Sequence, residues 1–143
     1  MARIQKPFPI EKLFCALSDR TRLRLLNLMS GQDICVCYLV EVLQTNQPKI
    51  SRHLAYLRNA GIVVARREGK WMHYRLILPS DPAAARILKE VQRQLSRDKT
   101  MQRDKRRLTK ACCAPEKFVR LSHAPLPATV YNSRAEHAAA VPA

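Results

Sequence analysis

A chain of 143 residues with 26 Lys and Arg against 11 Asp and Glu, a net charge of +15, is built to meet a polyanion, most commonly a phosphate backbone. The length suits one domain plus extensions, and the 47% hydrophobic content suits a modest core that gains from a partner subunit. No run approaches the ~20 apolar residues that span a bilayer, and the first residues lack the apolar stretch of a signal peptide. Five cysteines, an odd number, make a poor disulfide framework and suit thiols kept reduced in a cytoplasm, so a cytoplasmic protein without a membrane partner is expected.

In chain order, the apolar stripe of Ile10, Leu13, Phe14 and Leu17 predicts a first helix. Ser18-Asp19 offers an N-cap for a second, whose thick apolar face is Leu23, Leu25, Leu26, Leu28 and Met29, and Gly31 ends it. Asp33 reads as the cap of a third helix over 34–43, with Val36, Leu39, Val40 and Leu43 inward. Thr45-Asn46-Gln47-Pro48 is a turn and helix start, since proline is tolerated in the first turn. The helix that follows runs to Asn59, with Ile50, Leu54 and Leu57 as its core stripe and Gly61 as its stop.

From Ile62 the texture becomes strand. Residues 62–67 and 71–77 flank Glu68-Gly69-Lys70 and read as a hairpin. Pro79-Ser80-Asp81-Pro82 then opens a helix over 83–95. From there the chain is strongly basic, and beyond Cys112-Cys113 it is rich in Pro and Ala. The expected division is therefore a folded unit at 1–96 and a flexible tail at 97–143.

Helix, turn, helix and hairpin in this order predict a mainly α winged helix-turn-helix with a small β-hairpin wing. Docking the second helix of the pair through Ile50, Leu54 and Leu57 leaves Lys49, Ser51, Arg52 and His53 for a major groove. Lys49 and Arg52 suit phosphates or guanine edges, and Gln47 and Ser51 suit hydrogen bonds. Arg66, Arg67 and Lys70 on the hairpin suit a minor groove or backbone. Double-stranded operator DNA is the expected partner.

Ile34-Cys35-Val36-Cys37, Gln47-Pro48-Lys49-Ile50-Ser51-Arg52-His53-Leu54 and Gly69-Lys70-Trp71-Met72-His73-Tyr74-Arg75-Leu76 closely resemble the ArsR/SmtB family of metal-responsive repressors, in its arsenite- and antimonite-responsive branch. The resemblance covers roughly residues 8 to 95. It implies a homodimer built from the first and last helices of the fold, bound to a near-palindromic operator and released when trivalent arsenic or antimony binds. The arsenical branch typically carries Cys-Val-Cys-Asp-Leu-Cys. Here the last three residues are Tyr38, Leu39 and Val40, so the third thiol of the trio is absent. The His/Asp pattern of a last-helix zinc site is also missing, since no histidine follows Asp81 on that segment.

Soft thiolates suit trivalent arsenic, and Cys35 and Cys37 are the expected ligands, with arsenic or antimony an inducer and no cofactor permanently bound. On the helix expected over 34–43, residues two apart lie about 200° apart around the axis, so sharing one ion requires the first turn to distort. The third ligand stays open. Cys112 and Cys113 can fold back from the tail, in the same subunit or across the dimer, or form a separate site. Cys15 reads as packing near the dimer interface, with ligation as the lesser alternative, and a two-thiolate site completed by solvent is the default.

Three functions compete. The first is a repressor released by arsenite or antimonite, with selectivity for a methylated arsenic left open by the missing thiol. The second is a repressor of the same fold whose thiols sense oxidation. The third, an arsenic-handling enzyme or metallochaperone, is disfavoured: the chain has only three Gly, no nucleotide-binding glycine loop and no nucleophile-base pairing.

Overall fold

In the computed structural model the described residues are 7–118, 121 and 123–129. Helices α1 (Ile10–Leu17) and α2 (Arg20–Met29) are followed by strand β1 (Gln32–Cys35), then by α3 (Val36–Leu43) and α4 (Gln47–Asn59). Strands β2 (Val63–Glu68) and β3 (Trp71–Leu76) form the wing, and α5 (Pro82–Leu95) and α6 (Lys99–Cys113) follow. A 3-10 turn (Pro115–Lys117) and a short β4 (Ala128–Thr129) complete the order. The mainly α winged helix-turn-helix expected from the sequence is what the chain adopts.

The caps do what their chemistry dictates. Asp19 accepts a hydrogen bond from the Arg22 amide, Asn46 from the Lys49 amide and Asp81 from the Ala84 amide, each satisfying an amide the helix start leaves unpaired. Ile50, Leu54 and Leu57 are all buried, as expected of the docking stripe of α4. Gly69, at φ +58°, lets the wing turn in the left-handed region where a side chain is strained.

The third helix differs from expectation. It begins at Val36, not Ile34, and Asp33 does not cap it: Cys35 stands at the N-cap with extended dihedrals, φ −66° and ψ 141°. Residues Gln32–Cys35 instead form β1, which pairs antiparallel with β3 (Ile34 opposite Tyr74, Cys35 opposite His73) and with β4 (Gln32 opposite Thr129, Asp33 opposite Ala128). The wing is thus part of an antiparallel sheet in the order β2-β3-β1-β4. The extended state prevails because it buries Ile34 and Cys35 completely and supplies ladder hydrogen bonds that a helix start lacks.

The expectation of a flexible tail is corrected for Lys99–Cys113, which is helix. Asp98 caps it by accepting from the Thr100 and Met101 amides. Its buried stripe is Met101, Asp104, Leu108 and Ala111, packed on α2 and α3. Asp104 is fully buried and receives Arg24 Nε at 2.7 Å and Arg24 Nη2 at 2.9 Å, and Asn27 Nδ2 donates to the Met101 carbonyl at 3.0 Å. A buried carboxylate inside a run of cations is tolerable only with such a forked partner. Residues 130–143 of the expected tail, including His137, lie outside the described residues.

Candidate thiol site and nucleic-acid interface

Cys35 ends β1 and Cys37 lies in the first turn of α3, so the chain bends between them. That bend brings the sulfurs together: the Cys35 thiol donates to Cys37 Sγ at 3.5 Å. The expectation that the pair points apart on one helix is therefore overturned. No distortion is needed for both sulfurs to reach one ion, because the strand-to-helix corner already converges them. Cys35 is fully buried and Cys37 half-buried.

The pair shares one proton. Donation from Cys35 holds the Cys37 thiol down to about 7, helped by the Cys37 backbone amide and opposed by burial. The same bond, with burial, pushes Cys35 far above the ordinary thiol range. One sulfur is thus available as a thiolate near neutral pH, the form that acts as nucleophile and metal ligand.

The other cysteines sit differently. Cys15 is exposed on α1, beside a surface hollow lined by Glu11, Lys12, Tyr56, Asn59 and Ala60. Cys112 is half-buried against the core and burial pushes its thiol up to about 11, with Cys113 adding to it. Cys113 is exposed. Among the described residues no three Cys, His, Asp or Glu side chains converge as a metal cluster.

Two buried polar groups lie near the pair. The Tyr38 hydroxyl is buried without a hydrogen-bond partner among the described residues. Burial, with the sulfurs of Cys112, Cys35 and Cys37 adding to it, raises it to about 12 in all. His73, opposite Cys35, is 2% exposed. Its Nε2 lies 2.9 Å from Glu68 Oε2, yet among the described residues neither ring nitrogen makes a hydrogen bond. The only signal for His73 was its place in the hairpin, because its burial depends on β1.

On the face expected to meet DNA, Gln47, Lys49 and Arg52 are exposed along α4, whereas Ser51 and His53 are half-buried. His53 Nδ1 lies 3.8 Å from Asp19 Oδ1, and burial holds its pKa low, so the neutral ring sits between α2 and α4. The Arg22 guanidinium lies 4.2 Å over the Tyr56 ring and donates to the Ala16 and Cys15 carbonyls, tying α1, α2 and α4 together. On the wing, Arg67 is exposed and Lys70 lies 5.0 Å over Trp71. Arg66 reaches back across the sheet: its Nη2 donates to Asp33 Oδ2 at 2.7 Å, and its Nη1 lies 3.5 Å from Glu68 Oε2.

A sequence profile described as "Bacterial regulatory protein, arsR family" matches residues 19–64, which hold α2, β1, the thiol pair and α4. The "Arsenical resistance operon repressor" of Escherichia coli K12 is 51% identical over 87 residues, 59% of this chain and 73% of that protein. This chain belongs to the arsR family. Another arsR-family relative, the "Arsenic resistance transcriptional regulator ArsR1" of Pseudomonas putida, is 51% identical over 65 residues; these cover 45% of this chain and about half, 51%, of that protein. Solved structures share the fold. A homodimeric winged helix-turn-helix DNA-binding domain from Mycobacterium bovis aligns with a TM-score of 0.51 and 28% identity over 61% of this chain and 78% of that one. HlyU from Vibrio cholerae aligns at 0.52 and 27% over 59% and 89%. The profile match ends at Val64, within β2, so β3, α5 and α6 lie outside the matched segment.

Proposed function

We propose that this protein is a transcriptional repressor that binds operator DNA as a homodimer in the cytoplasm, and lets go when trivalent arsenic or antimony bonds to Cys35 and Cys37. The observation that carries the reading is the 3.5 Å approach of the two sulfurs at the corner between β1 and α3. A soft, two-sulfur site with one thiolate near neutral pH suits a thiophilic ion. The Escherichia coli relative, named for arsenical resistance, supports the same inducer class.

The site touches both elements that meet DNA. Downstream, α3 leads through Gln44, Thr45 and Asn46 into α4, whose Gln47, Lys49 and Arg52 face outward toward a major groove. Upstream, β1 is hydrogen-bonded to β3 and held to the wing by Asp33 and Arg66. An ion that fixes the sulfurs fixes the angle of that corner. Release follows if the fixed angle differs from the angle at which α4 and the wing fit adjacent grooves, because an inducer acts only through its preference between two states. Arg67 and Lys70 supply the wing's phosphate contacts. Dimerisation through α1 and α5 is supported by Phe14, 53% exposed on α1, and by the homodimeric Mycobacterium bovis neighbour.

Nothing in this reading calls for catalysis, and the protein acts as a regulator without a resident cofactor. The test is operator binding by fluorescence anisotropy, on a duplex selected from random sequence, with and without arsenite in reducing buffer. Loss of affinity on adding arsenite supports the reading; unchanged affinity at saturation sinks it.

A second reading gains from the same distance. Sulfurs at 3.5 Å with one thiolate are poised for a disulfide on oxidation, which removes the geometric objection that a continuous helix raised. Peroxide that releases DNA where arsenite does not selects that reading.

A further inference from the structure

We propose that α6 supplies the third sulfur of the inducer site: the Cys112 thiol joins Cys35 and Cys37 on trivalent arsenic, within one subunit, beside the buried hydroxyl of Tyr38. The proposal rests on the reading that Cys35 and Cys37 bind the inducer.

Trivalent arsenic has three bonding positions, and the pair fills two. The residues that follow on α3, Tyr38, Leu39 and Val40, bring no further thiol. Of the other elements packed against α3 (α2, α4, β3 and α6), α6 alone carries cysteines. Its position is fixed by the forked Arg24 to Asp104 contact and by Asn27 on the Met101 carbonyl. With α6 so held, Cys112 follows Leu108 by one helical turn on the inward side, half-buried against the same core as Cys35 and Cys37. Its neighbour Cys113 is exposed.

The second, independent observation is Tyr38. Its hydroxyl is 0% exposed and has no hydrogen-bond partner among the described residues, and it follows Cys37 on the helix against which α6 packs. An O–H left without an acceptor at such a place is costly unless another state of the protein uses it. Three sulfurs drawn onto one arsenic give it acceptors. His73 is the rival third ligand, buried opposite Cys35, but imidazole is a poorer match than thiolate for so soft an ion.

Because no three such side chains converge among the described residues, the inducer itself must draw Cys112 in. Cys112 lies in the last turn of α6, which ends at Cys113. As arsenous acid enters, each As–S bond forms as an As–OH bond breaks. The departing hydroxide takes the thiol's proton, or a solvent proton where the sulfur is already ionised, and leaves as water. Nothing is oxidised or reduced. Closure links α6 to the β1–α3 corner, so the third bond adds leverage on the element that carries α4.

Arsenic-edge X-ray absorption on the reduced full-length protein loaded with arsenite tests this. Three sulfurs are expected for wild type and for Cys113→Ser, and two sulfurs with one oxygen for Cys112→Ser. In operator release, Cys112→Ser raises the arsenite midpoint about tenfold, while the midpoint for methylarsenite, whose methyl group leaves only two bonding positions, stays put. Operator affinity without arsenite, matched to wild type, reports that each variant is folded, and Cys112→Ala replaces Cys112→Ser if it is not. Two sulfurs in wild type, three in Cys112→Ser, a nitrogen in the third place, or a loss caused by Cys113→Ser instead each overturn the proposal. The underlying reading fails separately: in that case Cys35→Ser and Cys37→Ser leave the sulfur count and the release unchanged.

Discussion

Arg66 on the wing donates to Asp33 at 2.7 Å, and Asp33 lies two residues ahead of Cys35 on the strand that delivers that thiol to the site. The wing is therefore anchored to the inducer strand by an ion pair as well as by the ladder between β1 and β3. Arg66 was expected to meet DNA. With Asp33 and Glu68 both beside it, its charge is largely answered within the chain.

This anchoring predicts a separation of function. Asp33→Asn leaves arsenite affinity, measured by calorimetry, close to wild type, yet it shrinks the arsenite-induced loss of operator affinity by about fivefold, the low end of a typical coupling. A variant with full coupling shows that the ladder alone carries the signal.

The same geometry ranks the cations. Arg52→Ala weakens operator binding by about 1–3 kcal/mol, the range for a good groove contact. Arg66→Ala costs less than Arg52→Ala because its charge is already paired. Lys105→Ala, on the exposed face of α6, also costs less. Salt titrations of each variant check this, since a lost phosphate contact lowers the slope of log K against log salt by about one unit. Equal losses at Arg52 and Lys105 would show that α6 supplies the grip.

The shared proton predicts a pH profile. Cys37 is held down to about 7, so its thiolate persists down to that pH and is lost only below it. Iodoacetamide labelling of Cys37, followed by mass spectrometry, reaches half its plateau rate near pH 7. Cys35→Ala removes the donated hydrogen bond and moves that midpoint upward, toward an ordinary thiol. An unmoved midpoint means that the amide, not Cys35, holds the thiolate.

Arg24 and Asp104 predict the role of α6 in stability. Asp104 is fully buried and the Arg24 side chain is 19% exposed. Asp104→Ala leaves the guanidinium short of its partner and costs about 2–3 kcal/mol in urea unfolding. A loss within about 0.5 kcal/mol, the range of an ordinary surface change, would mean that α6 is loosely attached.

What was legible in the sequence was what local chemistry decides. Asp19 and Asn46 announced their helices through side chains that bond amides a few residues on, and Ile50, Leu54 and Leu57 announced a docking face by their spacing. The hairpin declared itself through Gly69 between two apolar runs. What was hidden depends on contacts distant in the chain. β1 is extended because of Tyr74 and His73, so Asp33 imitated a helix cap and the two cysteines looked as if they shared a helix. The stripe of α6 was masked because one of its buried members is Asp104, whose partner Arg24 lies far back in the sequence. The cysteines were recognisable by type, but their convergence was not.

The most direct measurement of the central claim is operator release by arsenite for wild type, Cys35→Ser and Cys37→Ser, titrated side by side in reducing buffer. The account predicts that wild type loses about tenfold or more of its affinity, while both variants bind operator normally without arsenite and fail to let go with it. Release of either variant at the wild-type arsenite concentration contradicts the account.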